Sequence, residues 1–257
     1  MSQDSWFQRH ELEWTPEKTA RFWDYESQNE AKQGEYFTRQ VGDVLVRLAR
    51  MHHALAEPVL DYGAGPGYLT ERLVAAGVRC AACDFSPASI EGLCRRLGER
   101  PLFLGGEVLK TLPSAMPAET YGTVFLIETL EHLLPEWRRN TLQEIRRVLK
   151  PGGRVIVTVP HAERLDAAKV MCPDCGAVFH RVQHVATFDA NALSAIMAEH
   201  GFSEVLCAPA CLAMRKDEFQ GYGRRFRRWC RSVLTFLRLL PPRREATPNL
   251  VYIGEKT

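Results

Sequence analysis

The chain has 257 residues, 46% of them hydrophobic, and its 33 basic and 31 acidic residues leave a formal net charge of +2. This length accommodates one α/β domain with a small accessory element, and the hydrophobic fraction is ordinary for a globular protein. The near balance of charge does not by itself require an anionic partner. No apolar N-terminal stretch follows a basic one, and no run approaches about 18 uncharged apolar residues. We therefore expect neither a signal peptide nor a transmembrane helix.

Two helical patterns open the chain. Residues 15–17 read Thr-Pro-Glu, which predicts a helix start because proline is favoured at the first helical position. A second amphipathic stripe follows Gly34 and runs from Tyr36 to Leu48. We expect residues 1–50 to form a helical cap ahead of the main domain, residues 51–257. The aromatic residues of the cap are core residues or part of a binding pocket.

A glycine-rich turn is the most informative local feature. Residues 59–67 read Val-Leu-Asp-Tyr-Gly-Ala-Gly-Pro-Gly, and a helical pattern follows. Glycines let the backbone adopt positive φ and pass close to a ligand, and the next helix points free N–H groups at the site. The dinucleotide-binding pattern is G-x-G-x-x-G, whereas this chain has G-x-G-x-G with Asp61 before it. An acid there would repel a pyrophosphate and suit a cationic ligand, or it would serve as a helix N-cap.

Further strand-like segments follow in order and alternate with helical patterns. They read Cys-Ala-Ala-Cys-Asp-Phe-Ser-Pro at 80–87, Leu-Phe-Leu-Gly-Gly-Glu at 102–107, Thr-Val-Phe-Leu-Ile-Glu at 123–128 and Lys-Pro-Gly-Gly-Arg-Val-Ile-Val-Thr-Val-Pro at 150–160. The alternation predicts a parallel sheet with helices on both faces. Beyond it we expect a helix over 189–200 that Gly201 ends, a sixth strand over 202–207 and a last strand over 249–255.

These segments together resemble the class I S-adenosylmethionine-dependent methyltransferases. Five elements match in order and at the spacing of the family, over residues 57–160. The resemblance implies an α/β, Rossmann-like fold with a seven-stranded, mostly parallel sheet, helices on both faces and an antiparallel last strand. It also implies that the N-terminal helices cover the cofactor, and we expect a cytoplasmic protein with reduced thiols.

The resemblance places S-adenosylmethionine at the carboxyl ends of the strands. Asp61 would lie near the cationic methionyl end, Asp84 would accept hydrogen bonds from the ribose hydroxyls, and Phe85 and Val108 would flank the adenine. The third strand of the family usually ends in Asp, for which Glu107 is the substitute here, one residue displaced. The other cofactor residues would be Gly63, Ala64, Gly65, Gly67, Ile127 and Glu128. Without the resemblance, Asp84 would be read as an acid in a turn at the end of a strand.

A second local signal lies in an insertion over residues 161–188. Cys172, Cys175, His180 and His184 have the spacing C-x2-C-x4-H-x3-H, and a glycine after the second cysteine relieves the tight turn. The spacing is close to that of zinc knuckles and resembles an insertion in some bacterial methyltransferases encoded among sugar-biosynthesis genes. We predict a structural Zn²⁺ site. The alternatives are two free thiols with two unrelated histidines, or cysteine ligands with His184 as a base facing the substrate.

A basic insertion, residues 215–245, precedes the last strand. Over 222–240, apolar and aromatic residues fall at helical spacing and arginines fill the positions between them. A basic amphipathic helix is typical of an anionic membrane surface or a binding partner, and it also suits RNA phosphates. A helix docked on the sheet with a solvated basic face is equally compatible with the pattern.

Methyl transfer from a sulfonium is a direct displacement that depends mostly on alignment, with a base to take the acceptor's proton. His184, His161 and Glu128 are the base candidates, with His132 as a further one. We predict O- or N-methylation of a small molecule, such as a saccharide or a lipid-linked metabolite, at the cytoplasm or the membrane periphery. No Pro-Pro-aromatic tetrad follows the fourth strand, so DNA is not expected. The alternatives are an RNA methyltransferase using the zinc loop and basic helix, and a non-catalytic methyltransferase-like subunit.

Overall fold

A computed structural model describes residues 8–29, 36–212 and 249–257. Its strands are β1 (His10–Glu11), β2 (Val59–Tyr62), β3 (Cys80–Asp84), β4 (Phe103–Val108), β5 (Tyr121–Ile127), β6 (Leu149–Pro160), β7 (Lys169–Met171), β8 (Ala177–His180), β9 (Phe202–Ala210) and β10 (Asn249–Lys256). Its helices are α1 (Pro16–Gln28), α2 (Phe37–Met51), α3 (Tyr68–Ala75), α4 (Pro87–Leu97), α5 (Pro135–Val148) and α6 (Ala190–Glu199).

Seven strands form the central sheet, in the order β4-β3-β2-β5-β6-β10-β9. Strand β10 runs antiparallel to both of its neighbours, while the pairings from β4 through β6 are parallel. Every residue of β2, β3 and β5 is buried, because a parallel sheet is covered by helices on both faces. The predicted Rossmann-like fold with an antiparallel last strand is confirmed.

The core lies on both faces of this sheet. On one face Leu45 of α2 and Leu73 of α3 pack with Phe125 in one fully buried cluster. On the other face Ile145 of α5 and Met197 of α6 belong to a second cluster. The sheet is thus the middle of three layers, and its carboxyl edge stays open for a ligand.

The helix ends follow from local chemistry. The hydroxyl of Thr15 accepts a hydrogen bond from the Lys18 N–H at 3.3 Å, and Pro16 occupies the first turn of α1, as predicted. Asp189 caps α6 through the Ala192 N–H at 2.8 Å. Gly201 follows the helix with a φ of +79°, so the predicted stop is confirmed.

A second, small sheet joins the N-terminal segment to the insertion, and the sequence did not predict it. Strand β1 pairs in parallel with β8, which pairs antiparallel with β7. Trp14 extends this contact, because its ring meets Phe179 of β8 and Phe22 of α1 edge to face. The cap and the insertion therefore pack as one unit.

The predicted basic helix over 222–240, with the rest of the 215–245 insertion, lies outside the residues that the structure describes. Among the described residues, no helix is long and apolar enough to cross a bilayer.

Candidate functional site

A cavity of about 700 Å³ opens at the carboxyl ends of β2, β3 and β5, where open α/β sheets generally bind ligands. Aromatic side chains from the cap and from the strand ends form much of its wall, among them Phe22, Trp23, Tyr36, Phe37, Phe85 and Trp137. Its ionisable groups include Asp84, Glu128, His132 and His184. A largely apolar cavity with a few convergent polar groups is the usual form of a small-molecule site.

The glycine loop forms the floor of this cavity. Gly63, Ala64 and Gly65 line it, and both glycines have positive φ, +72° and +51°. A Cβ at Gly63 would lie 2.8 Å from the Thr129 hydroxyl, whereas one at Gly65 would meet nothing nearer than the Tyr36 ring at 3.7 Å. The predicted cofactor residue Gly67 does not line the cavity. Its absent side chain instead makes room for Leu93, with which a Cβ would collide.

Asp84 is held rigidly beside the loop. Its Oδ2 accepts the Gly65 N–H and its Oδ1 accepts the Ser86 N–H, both at 2.8 Å. The residue is only 6% exposed, and burial raises the pKa of its carboxyl group despite these bonds. Asp84 and Phe85 both line the cavity, at the positions that the sequence predicts for ribose and adenine contacts.

Asp61 does not face the cavity, which corrects the predicted contact with the methionyl end. Its Oδ2 accepts hydrogen bonds from the backbone N–H of Thr70 at 3.1 Å and from the Thr70 hydroxyl at 2.7 Å. Burial is the largest influence on this carboxyl and raises its pKa to about 6, although the bonds from Thr70 oppose the shift. Asp61 therefore anchors the first turn of α3 to β2 and supports the glycine loop from behind. This role resembles the helix N-cap that the sequence offered as the alternative.

Glu107 and Val108 also lie outside the lining, which corrects their predicted place beside the adenine. Glu107 Oε1 accepts the Ala115 N–H at 3.2 Å, on the far side of the turn. The wall at this point is formed instead by the next residues, Leu109 to Leu112.

Ile127 and Glu128 close the cavity at the end of β5. Glu128 has a φ of +45°, an uncommon conformation for a residue with a side chain and one that clusters at functional sites. Asn249 Nδ2 donates to its Oε1 at 3.3 Å. Burial raises the Glu128 pKa to about 7, against hydrogen bonds from Thr158 and Asn249. A carboxyl group with this pKa is matched to proton transfer near neutrality.

His132 and His184 lie side by side in the cavity wall, with ring centroids 4.7 Å apart. The side chain of Gln183 holds the backbone at His132. Gln183 Nε2 donates to the His132 carbonyl oxygen at 3.0 Å, and Trp23 Nε1 donates to Gln183 Oε1 at 2.8 Å. Burial and the neighbouring His184 lower the His132 pKa to about 3, so its imidazole is neutral. His161, the remaining base candidate, pairs with Phe188 and does not line the cavity.

Glu163, which no sequence pattern singled out, stands behind these histidines. Its Oε2 contacts His184 Nδ1, and its Oε1 lies 3.4 Å from His180 Nε2. Burial alone would raise the Glu163 pKa, but the His184 hydrogen bond and the electrostatic influence of His184 and His180 hold it below its ordinary value. The carboxylate therefore fixes the orientation of the His184 ring.

The predicted four-residue zinc site is not formed, because the cysteines and histidines lie at opposite ends of the β7–β8 hairpin. Cys172 N–H bonds to the Ala177 carbonyl at 2.8 Å, whereas His180 pairs with Lys169. The three residue steps from Ala177 to His180 separate the two pairs by about 10 Å of strand. Backbone N–H groups of Cys175 and Asp174 lower the Cys172 pKa. The metal-competent groups in the described chain are Glu131, His132 and His184, and Glu163, His180 and His184.

The Methyltransferase domain family matches residues 8–207 of this chain, and the chain belongs to this family. The fold and the site define its class as the S-adenosylmethionine-dependent methyltransferases.

Individual relatives are distant. An uncharacterised methyltransferase of Schizosaccharomyces pombe is 29% identical over 135 residues, or 52% of this chain and 50% of that protein. This chain thus spans half the length of that relative. The O-methyltransferase resE of Aspergillus sclerotiorum is 27% identical over 189 residues, 70% of this chain and 66% of that protein.

Solved structures share the fold. The 1,6-didemethyltoxoflavin-N1-methyltransferase of Burkholderia thailandensis, with bound 1,6-didemethyltoxoflavin and S-adenosylhomocysteine, has a TM-score of 0.62 at 18% identity, covering 96% of this chain and 93% of that one.

Proposed function

We propose that this protein transfers the methyl group of S-adenosylmethionine to an oxygen or nitrogen of a small molecule with an apolar or aromatic body. The observation that carries the proposal is the single cavity wall that combines Gly65 and Asp84 at one end with His132 and His184 at the other. A methyl donor and an acceptor fit end to end in a cavity of about 700 Å³.

The cofactor residues fit the donor. Gly65 presents backbone to the cavity without a side chain, and Asp84 offers carboxylate oxygens beside it. We assign Asp84 to the ribose hydroxyls, Phe85 to the adenine, and Gly63, Ala64, Ile127 and Glu128 to the remaining contacts. The bound cofactor supplies a methyl group on a cationic sulfur, and transfer needs alignment with the acceptor atom more than it needs chemical assistance.

The acceptor side favours an apolar molecule. Phe22 and Trp23 come from the cap, and Trp137 comes from α5. Aromatic side chains contribute large buried area and stack on planar rings. Of the two predicted acceptor classes, a lipid-linked metabolite suits this lining better than a free saccharide. Two similar proteins support methylation of oxygen or nitrogen by their names: one is called an O-methyltransferase, and the other is a 1,6-didemethyltoxoflavin-N1-methyltransferase.

We assign removal of the acceptor's proton to the part of the cavity that Glu128 and His184 line. Both residues line the cavity, while His161 does not. Glu128 has a pKa near neutrality and takes the proton, and His184, oriented by Glu163, lies on the acceptor side.

A direct test is to incubate the protein with S-adenosylmethionine and an organic-solvent extract of cells, and to detect S-adenosylhomocysteine and a methylated product by mass spectrometry. A matched incubation with purified RNA tests the RNA alternative. We expect product only with the small-molecule extract, and none from Asp84→Ala. Product from RNA, destroyed by nuclease, would replace the proposal. Absence of turnover with every extract, despite cofactor binding, would favour a non-catalytic subunit.

A further inference from the structure

Three side chains on the acceptor side form a compact cluster. Ligand atoms of Glu131, His132 and His184 all lie within 4.8 Å of one another. Glu131 and His132 belong to the short 3-10 helix Leu130–His132 after β5, and His184 comes from the insertion. The two histidines also line the cavity, so the cluster borders the space assigned to the acceptor.

The buried carboxyl group of Glu131 has no polar partner among the described residues, and burial raises its pKa well above the ordinary value. The residue is 1% exposed, and neither carboxylate oxygen has a hydrogen-bond partner among the described residues. His132 Nε2 lies 3.9 Å from Oε1, beyond hydrogen-bond distance. Buried carboxylates are normally paired, hydrogen-bonded or bound to a metal. A cation in contact with Glu131 would supply the partner that this buried carboxyl group lacks.

Both histidines leave a lone pair free for that cation. His132 Nδ1 faces the carbonyl oxygen of Gln183 at 3.4 Å, which can only accept, so the ring proton belongs on Nδ1. His184 Nδ1 likewise contacts an acceptor, the Glu163 carboxylate, so the proton of this ring also belongs on Nδ1. In the neutral form of each ring, Nε2 then carries the lone pair. Metal-binding histidines characteristically donate their other N–H to a carbonyl or a carboxylate.

The neighbouring cluster of Glu163, His180 and His184 lacks this property. His180 Nδ1 accepts the backbone N–H of His184 at 3.2 Å, so its proton sits on Nε2 and faces Glu163. In this tautomer His180 has no lone pair left for a metal, and Glu163 is already hydrogen-bonded to His184 Nδ1. This comparison selects Glu131, His132 and His184 as the ligands.

We propose that Glu131, His132 and His184 bind a divalent transition-metal ion such as Zn²⁺, with Glu163 and Gln183 as outer-shell partners. Two imidazoles and one carboxylate suit such ions, and three protein ligands leave positions open for another ligand. The role of the ion rests on the proposed function. An acceptor hydroxyl bound to the ion loses its proton to Glu128, its oxygen then forms the bond to the methyl carbon, and the carbon–sulfur bond breaks.

The binding test uses full-length protein freed of metal by a chelator, titrated with Zn²⁺ by calorimetry and with Co²⁺ by absorption spectroscopy. We expect one saturable ion per chain and a cobalt spectrum without thiolate-to-metal charge transfer. Glu131→Gln, His132→Asn and His184→Asn should each weaken binding by more than the about 10–100-fold expected for the outer-shell change Glu163→Gln. His161→Asn, His180→Asn and a Cys172→Ser/Cys175→Ser double variant are matched controls and should bind normally.

Thermal melting keeps the test decisive if a variant folds poorly. Added metal should raise the melting temperature of the wild type but not of Glu131→Gln, since an ion stabilises only the protein that binds it. Without metal, Glu131→Gln should be about as stable as the wild type, because one buried polar group without a hydrogen-bond partner replaces another of the same size. No saturable binding, or binding lost only in the cysteine or His180 variant, would overturn the site. Full methyl transfer by metal-free protein would overturn the role of the ion and leave the proposed function standing.

Discussion

The backbone N–H of Gly65 donates to Oδ2 of Asp84 over 2.8 Å and so ties the glycine loop after β2 to the end of β3. The Asp84 carboxylate is therefore fixed before any ligand arrives. A rigid acceptor group loses little conformational entropy on binding, which strengthens the interaction that it makes.

Replacing Asp84 should weaken cofactor binding. In Asp84→Ala a ribose hydroxyl and the Gly65 N–H both lose their acceptor, and each buried unmet group costs about 1–3 kcal/mol. Calorimetric titration with S-adenosylmethionine measures the loss, and Asp84→Asn should fall between the alanine variant and the wild type. Unchanged affinity in Asp84→Ala would contradict the assignment.

Asp61 should govern stability and its pH dependence more than cofactor affinity. Its pKa is raised from 3.8 to about 6 in the folded protein. The folded state thus holds a proton that the unfolded state releases, and the contribution of Asp61 to the free energy of unfolding falls as pH rises between these values. Urea denaturation from pH 4 to 7 should show a steeper fall in the wild type than in Asp61→Asn. Parallel curves for the two proteins would argue against this pKa.

Asp61→Ala adds a second check on the same residue. The variant leaves the Thr70 hydroxyl and N–H without an acceptor, and we expect a loss of about 1–3 kcal/mol in the free energy of unfolding. Asp61→Asn retains one oxygen for Thr70 and should lose less. At a low temperature, where both variants are fully folded, their affinity for S-adenosylmethionine should differ little from that of the wild type.

Substitutions at Gly67 and Gly77 can separate the cost of backbone strain from the cost of a side-chain clash. Both have a φ of +81°, but a Cβ at Gly67 would strike the Leu93 side chain while one at Gly77 meets nothing within 4 Å. Gly77→Ala should cost about 1–2 kcal/mol from backbone strain alone. Gly67→Ala should cost more, because Leu93 must also move. Equal melting temperatures for the two variants would show that Leu93 adapts freely.

Trp23→Phe should impair the acceptor side selectively. The change removes the indole N–H that donates to Gln183 Oε1 at 2.8 Å, and Gln183 is fully buried. An unmet buried acceptor costs about 1–3 kcal/mol. Loss of the indole N–H also frees the Gln183 side chain, which holds the backbone at His132. We expect a higher KM for the acceptor with little change in cofactor affinity. A matched substitution, Trp137→Phe, keeps an aromatic ring in the cavity without touching Gln183. Equal effects of the two substitutions would contradict the proposed linkage.

Sequence patterns predicted the fold well because its signals are local. The run into Asp61, the glycine turn and the alternation of strands with helices each depend on neighbouring residues. The same locality placed Gly63, Gly65 and Asp84 in the cavity, since a parallel sheet brings its strand ends together.

The site residues that the sequence misplaced depend on side-chain direction and register. Asp61 and Glu107 occupy the expected strand ends but point away from the cavity. The spacing from Cys172 to His180 fits a metal site only if the segment folds as a compact loop, whereas β-pairing extends it. Glu163 has no motif of its own, because it acts through a contact with His184 across 21 residues of sequence.

The hydrogen bonds from Trp23 to Gln183 and from Gln183 to His132 join positions 160 and 51 residues apart in the chain. The part of the cavity assigned to the acceptor therefore depends on α1 and on the 161–188 insertion together. Replacing α1 by a helix without tryptophan at position 23 would leave the buried side-chain oxygen of Gln183 without its hydrogen-bond donor, unless residue 183 changed as well. Directed evolution toward a new acceptor should therefore randomise 23 and 183 in one library, and natural descendants with altered acceptors should carry correlated replacements at these two positions.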